Sequence, residues 1–543
     1  MTPGFKQAAG GWARALRWLA CLACAALFVW SIARFYIPGR GFTYLIEFGD
    51  QKRAVSLPEL KAADHVEMPR SFGYDAQWYA QIAMHPRLGD PSLRRAVDRL
   101  PYRARRILFE WTAWAVGLGD PERAMNVYAL QNVACWLVLA VLLFRWFPPL
   151  SWGNCLRWAA VLFSFGLIFS VRRSLLEGPS LLLIAAAMAL LESGRTWAGA
   201  LVMGIGGLGK ETNVLGACAL KPPGTPAPAA WRSWLGQVAL VLLPLALWML
   251  CLRAWLGRGS DAGLDNFAAP FVGLRNKLVD TASSLVADLP GFPTDAKLDA
   301  LVLAGLLVQF LFFASRIRWR EPWWRLGAGY AFLLLFLGDA VWRDYPSAAA
   351  RVLLPMTLAF NVLVPRSRWW ALLLVAGNIG VVGSANLLKA PESESQCFTL
   401  EGPKELIRNK VEGTRVDITY GPRNWWTPER YGPHYWRWSR GDCTIAIHNP
   451  QRFAIRADIS FGLALSGDDE RSAIVTLGGK TAWSGKLKHA AENWAAFSGV
   501  VLKPGDTVLL FQSDRPPTAA GGVDSRQVTF SVRDFKVVLK ERI

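Results

Sequence analysis

Phe72–His85 reads FGYDAQWYAQIAMH, and residues 100–114 read LPYRARRILFEWTAW. The first stretch sets one carboxylate, Asp75, among aromatic side chains. The second gathers Arg103, Arg105 and Arg106 just ahead of an apolar run. Farther along, three groups stand at the ends of apolar segments: Arg172 and Arg173 with Glu177, Lys210 with Glu211, and Arg343 and Asp344 with Arg351. Ionisable groups at such depth cost roughly a few kcal/mol when unpaired and are often functional. A shared site rich in both carboxylates and cations could take up a proton beside a bound anion. Singly, each residue reads as readily as a solvated loop residue or an ion pair locking helices; as a group that reading is weaker.

The elements that must position these residues are apolar. Of the 543 residues, 52% are hydrophobic and 19% charged, against roughly 25% charged in a soluble domain. Residues 1–390 hold runs long enough to cross a bilayer, which takes about 20 residues; residues 391–543 hold none. Hydropathy predicts eleven spans, at 15–37, 125–147, 153–171, 177–192, 195–209, 211–222, 235–255, 297–315, 324–341, 350–364 and 369–388. Lys6, Arg14, Arg145, Arg157, Arg195, Lys221, Arg232, Arg316 to Arg325, Arg366 and Arg368 then fall on one side, which the positive-inside rule makes cytoplasmic. Eleven spans starting inside put the tail outside, together with a long loop, 38–124. Ile107–Gly119 is apolar but short and carries Glu110, so it is expected as an interfacial helix on the outer face.

The net charge of +19 would suggest nucleic acid in a soluble chain, but no basic, aromatic-interleaved module is present. Arg and Lys in short loops orient helices and meet anionic lipid instead. The first run, Ala15–Ile37, is too long for a signal core and reads as a retained helix. Cys21, Cys24, Cys135, Cys155, Cys218 and Cys251 lie in or beside apolar segments, as packing residues. Cys397 and Cys443 are the two in the tail, and pair as a disulfide if the tail is outside the cytoplasm. The five histidines, His65, His85, His434, His448 and His489, are scattered, and no tight Asp-x-Asp occurs. No cofactor is required; a divalent metal is compatible but not indicated, and His85 reads as a surface or lining residue.

FGYDAQWYAQIA followed by YRARRILFE resembles the YDGQFYYQIA and YR-x-x-RILYP-like runs of the GT-C superfamily of membrane glycosyltransferases, in members that build bacterial cell-surface glycopolymers. Ala76, Trp78, Phe109 and Glu110 depart from that pattern. SLLEGPSLLL, 174–183, is similar to an acidic turn of these enzymes, and GLGKETNVLG, 207–216, to their Leu-Thr-Arg/Lys-Glu-Thr turn. The resemblance covers the membrane half. It implies a polytopic α-helical fold, an inverting transfer from a polyprenyl-phosphate-linked sugar to a glycan, lipid or protein acceptor, and Asp75 as the base. It makes Arg172, Arg173, Lys210 and Arg351 the candidates for the donor phosphate. Glu177, Glu211, Tyr74, Trp78, Tyr79, Arg103 and Arg106 are supporting groups. Asp75 has a plainer reading as a helix cap or salt-bridge partner. The family also implies the periplasmic side of a bacterial inner membrane.

Past Leu388 the composition changes. CTIAIHN, FAIRADISFGLAL, SAIVTLGG, DTVLLFQS and QVTFSVRDFKVVL alternate and are separated by turn residues, the pattern of an antiparallel β-sandwich. Together with YGPHYWRWSRGDCTIAI the tail resembles the carbohydrate-binding-like modules appended to envelope glycosyltransferases. Trp425, Trp426, Tyr431, Tyr435, Trp436 and Trp438 are dense there. Such rings, Trp425, Trp426, Tyr435 and Trp436 above all, either stack on sugar faces or fill the sandwich.

The expected architecture is thus a helical membrane domain over 1–390 and an external all-β domain over 391–543. Three other readings stand beside the transferase. An O-antigen polymerase or ligase usually carries its main loop later in the chain. A transporter or flippase of lipid-linked sugars predicts inverted repeats, which are not seen. A mere anchor for a sugar-binding domain leaves the charged turns unexplained.

Overall fold

The structure is a computed structural model. It describes residues 3–36, 40–63, 65–68, 71–222, 224, 227–257, 263, 266–287, 294–342, 348–389, 407–409, 416–421, 424–431, 434–466, 470–488, 493–521 and 524–543. The chain forms two compact units. One comprises residues 1–47, 56–65 and 74–390; the other takes 391–543 together with 48–55 and 66–73.

The first unit is helical. Among the described residues four of its helices are long and apolar enough to cross a membrane, with spans Trp12–Ala33, Pro121–Arg145, Pro228–Leu256 and Lys297–Ser315. Two bent pairs, Trp152–Leu162 with Phe165–Arg172 and Arg368–Gly377 with Ile379–Leu387, bring the number to six if each is one span. Eleven spans are therefore not what the helices form. Hydropathy counts apolar residues but does not see where a helix stops. Thr196–Gly209 is 14 residues, about 21 Å at 1.5 Å per residue. Glu211–Ala219 is a 3-10 segment, Pro322–Phe336 ends after 15 residues, and Leu354–Leu363 has 10. The odd count that carried the tail outside falls with the eleven. The run expected at 107–119 is a helix, Leu108–Val116, whose Phe109, Glu110 and Ala113 are buried against protein, while Val116 and Leu118 are exposed.

The helix that matters most to the site is Ala76–Met84, all nine residues of which are buried. The chain enters it through Gly73, whose φ of +76° suits a residue without Cβ. The amide of Tyr74 donates to the carbonyl of Glu47 at 3.0 Å. At the other end Gln81 accepts from the amide of Leu57 at 3.0 Å. Both ends are thus tied to neighbouring chain.

The second unit is β-rich. One sheet orders Lys480–Leu487, Arg471–Leu477, Gly505–Ser513, Cys443–Asn449 and Asp417–Tyr420, all antiparallel. The other orders Asn493–Leu502, Ile455–Ala464, Ser531–Arg542, His434–Trp438 and Glu429–Tyr431; Ile407–Asn409 joins Ser531–Arg542 in parallel. In Cys443–Asn449 every second residue is buried, as the period of two requires. Ile445 and Ile447 of one sheet share a single apolar core with Ile459, Phe461 and Phe535 of the other, so the two sheets close on each other as a sandwich does.

Candidate active site

Asp75 stands at the first turn of the buried helix but does not cap it: its side chain accepts no bond from the helix amides. It accepts instead from Nη2 of Arg103 at 2.9 Å. Arg103 is 8% exposed, and its Nε and Nη2 also donate to Asp98 at 3.0 and 2.9 Å. Two carboxylates thus share one guanidinium, in the charge-assisted geometry Arg favours. Asp75 keeps 41% of its side-chain surface accessible. That surface opens into a cavity, so protein surrounds the carboxylate while a ligand can still reach it. Burial alone would raise its pKa; the charge and hydrogen bond of Arg103, with Arg351 and Arg106 beyond, outweigh burial and hold it below the usual carboxylate value.

The cavity measures about 470 Å³. Its charged lining is Asp75, Glu177 and Glu211 on one side of the balance and Arg105, Arg106, Lys210 and Arg351 on the other. Glu177 accepts from Nζ of Lys210 at 2.8 Å and from Nη1 of Arg351 at 3.1 Å. One carboxylate therefore faces two cations. Glu211 accepts from Nε of Arg106 at 2.7 Å. The other nitrogens of Arg106 donate to the hydroxyls of Tyr79, at 2.6 Å, and Tyr102, at 2.9 Å. Arg105 lies over the Tyr102 ring, 5.6 Å from its centroid, and has no carboxylate partner among the described residues. Among the described residues cations exceed carboxylates in the lining, and a polar, positively biased cavity beside an ionised Asp can hold an anion while a proton is taken up.

Most of the expected residues meet here. Tyr74, Asp75, Arg106, Glu177, Lys210, Glu211 and Arg351 line the cavity. Arg103 braces Asp75 from behind, and Tyr79, 1% exposed, takes hydrogen bonds from both Arg103 and Arg106. Burial pushes the Tyr79 phenol up to about 12, against the opposing pull of Arg106 and Arg103. Trp78 is buried and does not reach the cavity.

Arg172 and Arg173 do not join them. Both pair with Glu47, at 3.3 Å each. Arg172 lies over the rings of Phe35 and Tyr44, and Arg173 over those of Tyr74 and Phe169. The turn at Ser174, φ +45°, separates them from Glu177. Arg343 and Asp344 lie outside the described residues.

Sequence reasoning passed over Tyr102, Thr212, Asn266 and Phe267, which also line the cavity, and Asp98. Tyr102 and Arg105 lie within the quoted LPYRARR run, and their helical proximity to Arg106 was the available signal. In the β unit Trp425, Trp426, Tyr435 and Trp436 are 4%, 6%, 2% and 8% exposed. Their rings fill the interior and present no open face to a sugar. Cys443 is buried; Cys397 lies outside the described residues, and the expected disulfide with it.

The chain matches no family model, and no curated protein matches it. Among solved structures it is similar to the CBM36-1 domain of a multidomain xylanase from the hindgut metagenome of Trinervitermes trinervoides, at 10% identity. That likeness covers 23% of this chain and 94% of that one, with a TM-score of 0.13.

Proposed function

We propose that this chain is an inverting glycosyltransferase of the GT-C kind, moving a sugar from a polyprenyl-phosphate-linked donor to an envelope glycan, lipid or protein. The observation that carries the reading is the pairing of one accessible, ionised carboxylate, Asp75, with a cluster of cations in the same cavity. In the transfer the acceptor oxygen attacks the anomeric carbon as the bond from that carbon to the phosphate oxygen breaks, its electron pair leaving with the phosphate. The acceptor proton passes to Asp75. Lys210, Arg351 and Arg105 stabilise the departing phosphate, and Arg106 orients Glu211 and Tyr102 at the cavity wall. Single displacement inverts the anomeric centre.

The apolar helices of the same unit suit a donor whose prenyl chain stays in lipid. On this reading the chain sits in a bacterial inner membrane and transfers its sugar on the periplasmic face, as the family resemblance implies. The β unit is then a carbohydrate-binding-like module whose sugar contacts lie elsewhere than its buried aromatic cluster. The test is transfer of labelled sugar from polyprenyl-phosphate donors in membranes. Transfer that depends on the chain and inverts the anomeric centre is expected; its absence across mannosyl, glucosyl, arabinosyl and galactosyl donors counts against the reading.

A further inference from the structure

Away from that cavity, Glu59, His85 and Asp90 converge. Glu59 opens the short helix Pro58–Ala62, His85 follows the last residue of the helix Ala76–Met84, and Asp90 lies in the turn beyond. One ligand atom from each lies within 4.8 Å of the other two. Nε2 of His85 is 3.1 Å from Oε1 of Glu59 and 3.9 Å from Oδ2 of Asp90. None of the three lines the cavity that holds Asp75.

The local geometry is unlike that of a simple ion pair. Nε2 of His85 and Oε2 of Glu59 are both shielded from solvent, yet neither makes a hydrogen bond. The imidazole nitrogen is close to two carboxylates without being aimed at either. Asp90 is set in place by Ser92, whose amide and hydroxyl donate to Oδ1 at 2.7 and 2.6 Å. That leaves Oδ2 to face His85. The neighbouring Arg87 lies over the Trp114 ring, 5.6 Å from its centroid, and pairs with neither carboxylate among the described ion pairs. Two carboxylates thus flank one imidazole nitrogen, and among the described ion pairs no lysine or arginine pairs with either of them.

We propose that Glu59, His85 and Asp90 bind one divalent transition-metal ion, zinc above others. An ion bound at about 2.0–2.2 Å by one imidazole nitrogen and two carboxylate oxygens sets its ligands about 3.4 Å apart in a tetrahedron. The separations of 3.1 and 3.9 Å bracket that figure. A nitrogen ligand favours zinc over magnesium or calcium, which take oxygen. Ser92 is the outer partner that orients a ligating carboxylate. The ion would join three chain segments and fix the far end of the helix that begins just after Asp75, acting as a fastening and not on a substrate. The inference stands independently of sugar transfer.

The test uses the full chain, purified in detergent and stripped with a chelator. Zinc is added, bound metal is counted by elemental analysis after dialysis, and affinity and thermal midpoint are measured. One equivalent per chain is expected, with a rise in midpoint on loading and little response to magnesium. His85→Ala should weaken binding ~100-fold or more and abolish the rise, while Ser92→Ala, which keeps all three ligands, should weaken it ~10–100-fold. Glu59→Gln gives an independent ligand variant should His85→Ala not fold. Failure of the stripped wild type to take up zinc, or equal affinity in the wild type and every folded variant, overturns the proposal.

Discussion

Nη2 of Arg103 donates to Oδ1 of Asp75 at 2.9 Å while the same guanidinium forks onto Asp98 at 3.0 and 2.9 Å. Asp98 anchors Arg103, and Arg103 in turn fixes both the position and the charge of Asp75. The arrangement keeps the carboxylate ionised, at a cost in basicity.

The sign of its pH dependence follows. Asp75 has a depressed pKa, so it stays ionised as pH falls from neutrality and the pair is lost only once pH drops through that lowered value. Removing Arg103 leaves burial less opposed, and the pKa rises. In Arg103→Gln the acid limb of the pH–rate profile for transfer should move to higher pH, and the rate at neutral pH should fall. An unmoved limb would mean that Arg103 does not set the ionisation of Asp75.

Arg105 and Arg172 should behave differently, although both are arginines flagged by pattern or proximity. Arg105 lines the cavity without a carboxylate partner among the described residues, so Arg105→Gln should raise the donor KM. A lost charge-assisted bond to phosphate is worth about 1.5–3 kcal/mol, or roughly 10–100-fold. Arg172 is held by Glu47, so Arg172→Gln should leave the donor KM unchanged and lower the thermal midpoint. Steady-state kinetics over a donor series separates the two.

Glu177 faces both Lys210 and Arg351, with all three side chains at most 10% exposed. Glu177→Gln removes the negative charge that faces two buried cations, and breaking such a buried pair typically costs about 3–5 kcal/mol. Thermal unfolding of the full chain should show a clear drop in midpoint. No drop would place these groups in a wetter environment than their burial implies.

Trp425 tests the β unit. It belongs to the apolar core with Phe461 and Phe511, and its Nε1 donates to the carbonyl of Thr444 at 3.0 Å. Trp425→Ala should destabilise that unit by about 3–5 kcal/mol, read as an earlier unfolding step. A change in glycan binding with unaltered stability would restore the sugar-stacking role.

The central charged residues were legible because their chemistry is carried in short local patterns. Asp75 among aromatics, the YRARR cluster and the two turns at Glu177 and Lys210–Glu211 are visible in sequence and do meet in space. Arg172 and Arg173 are not among the cavity-lining residues, although they stand close to Glu177 in sequence. The positive φ at Ser174 turns the chain between them, and Glu47, distant in sequence, takes both cations. The spans were overcounted because breaks at Lys210 and Leu337, where the backbone turns extended, leave hydropathy unchanged. The Glu59, His85 and Asp90 cluster was hidden because Glu59 lies 26 residues before its histidine, beyond any ligand-spacing motif.

The most direct test of the account is the rate of sugar transfer by Asp75→Asn in membranes, at matched expression, against the wild type. Asparagine keeps size and hydrogen bonding and removes the proton acceptor. General-base loss predicts a fall of about 10²–10⁴-fold in turnover with little change in donor KM. Equal transfer by both forms would contradict the assignment, leave Asp75 a structural partner of Arg103, and shift the base to Glu177 or Glu211.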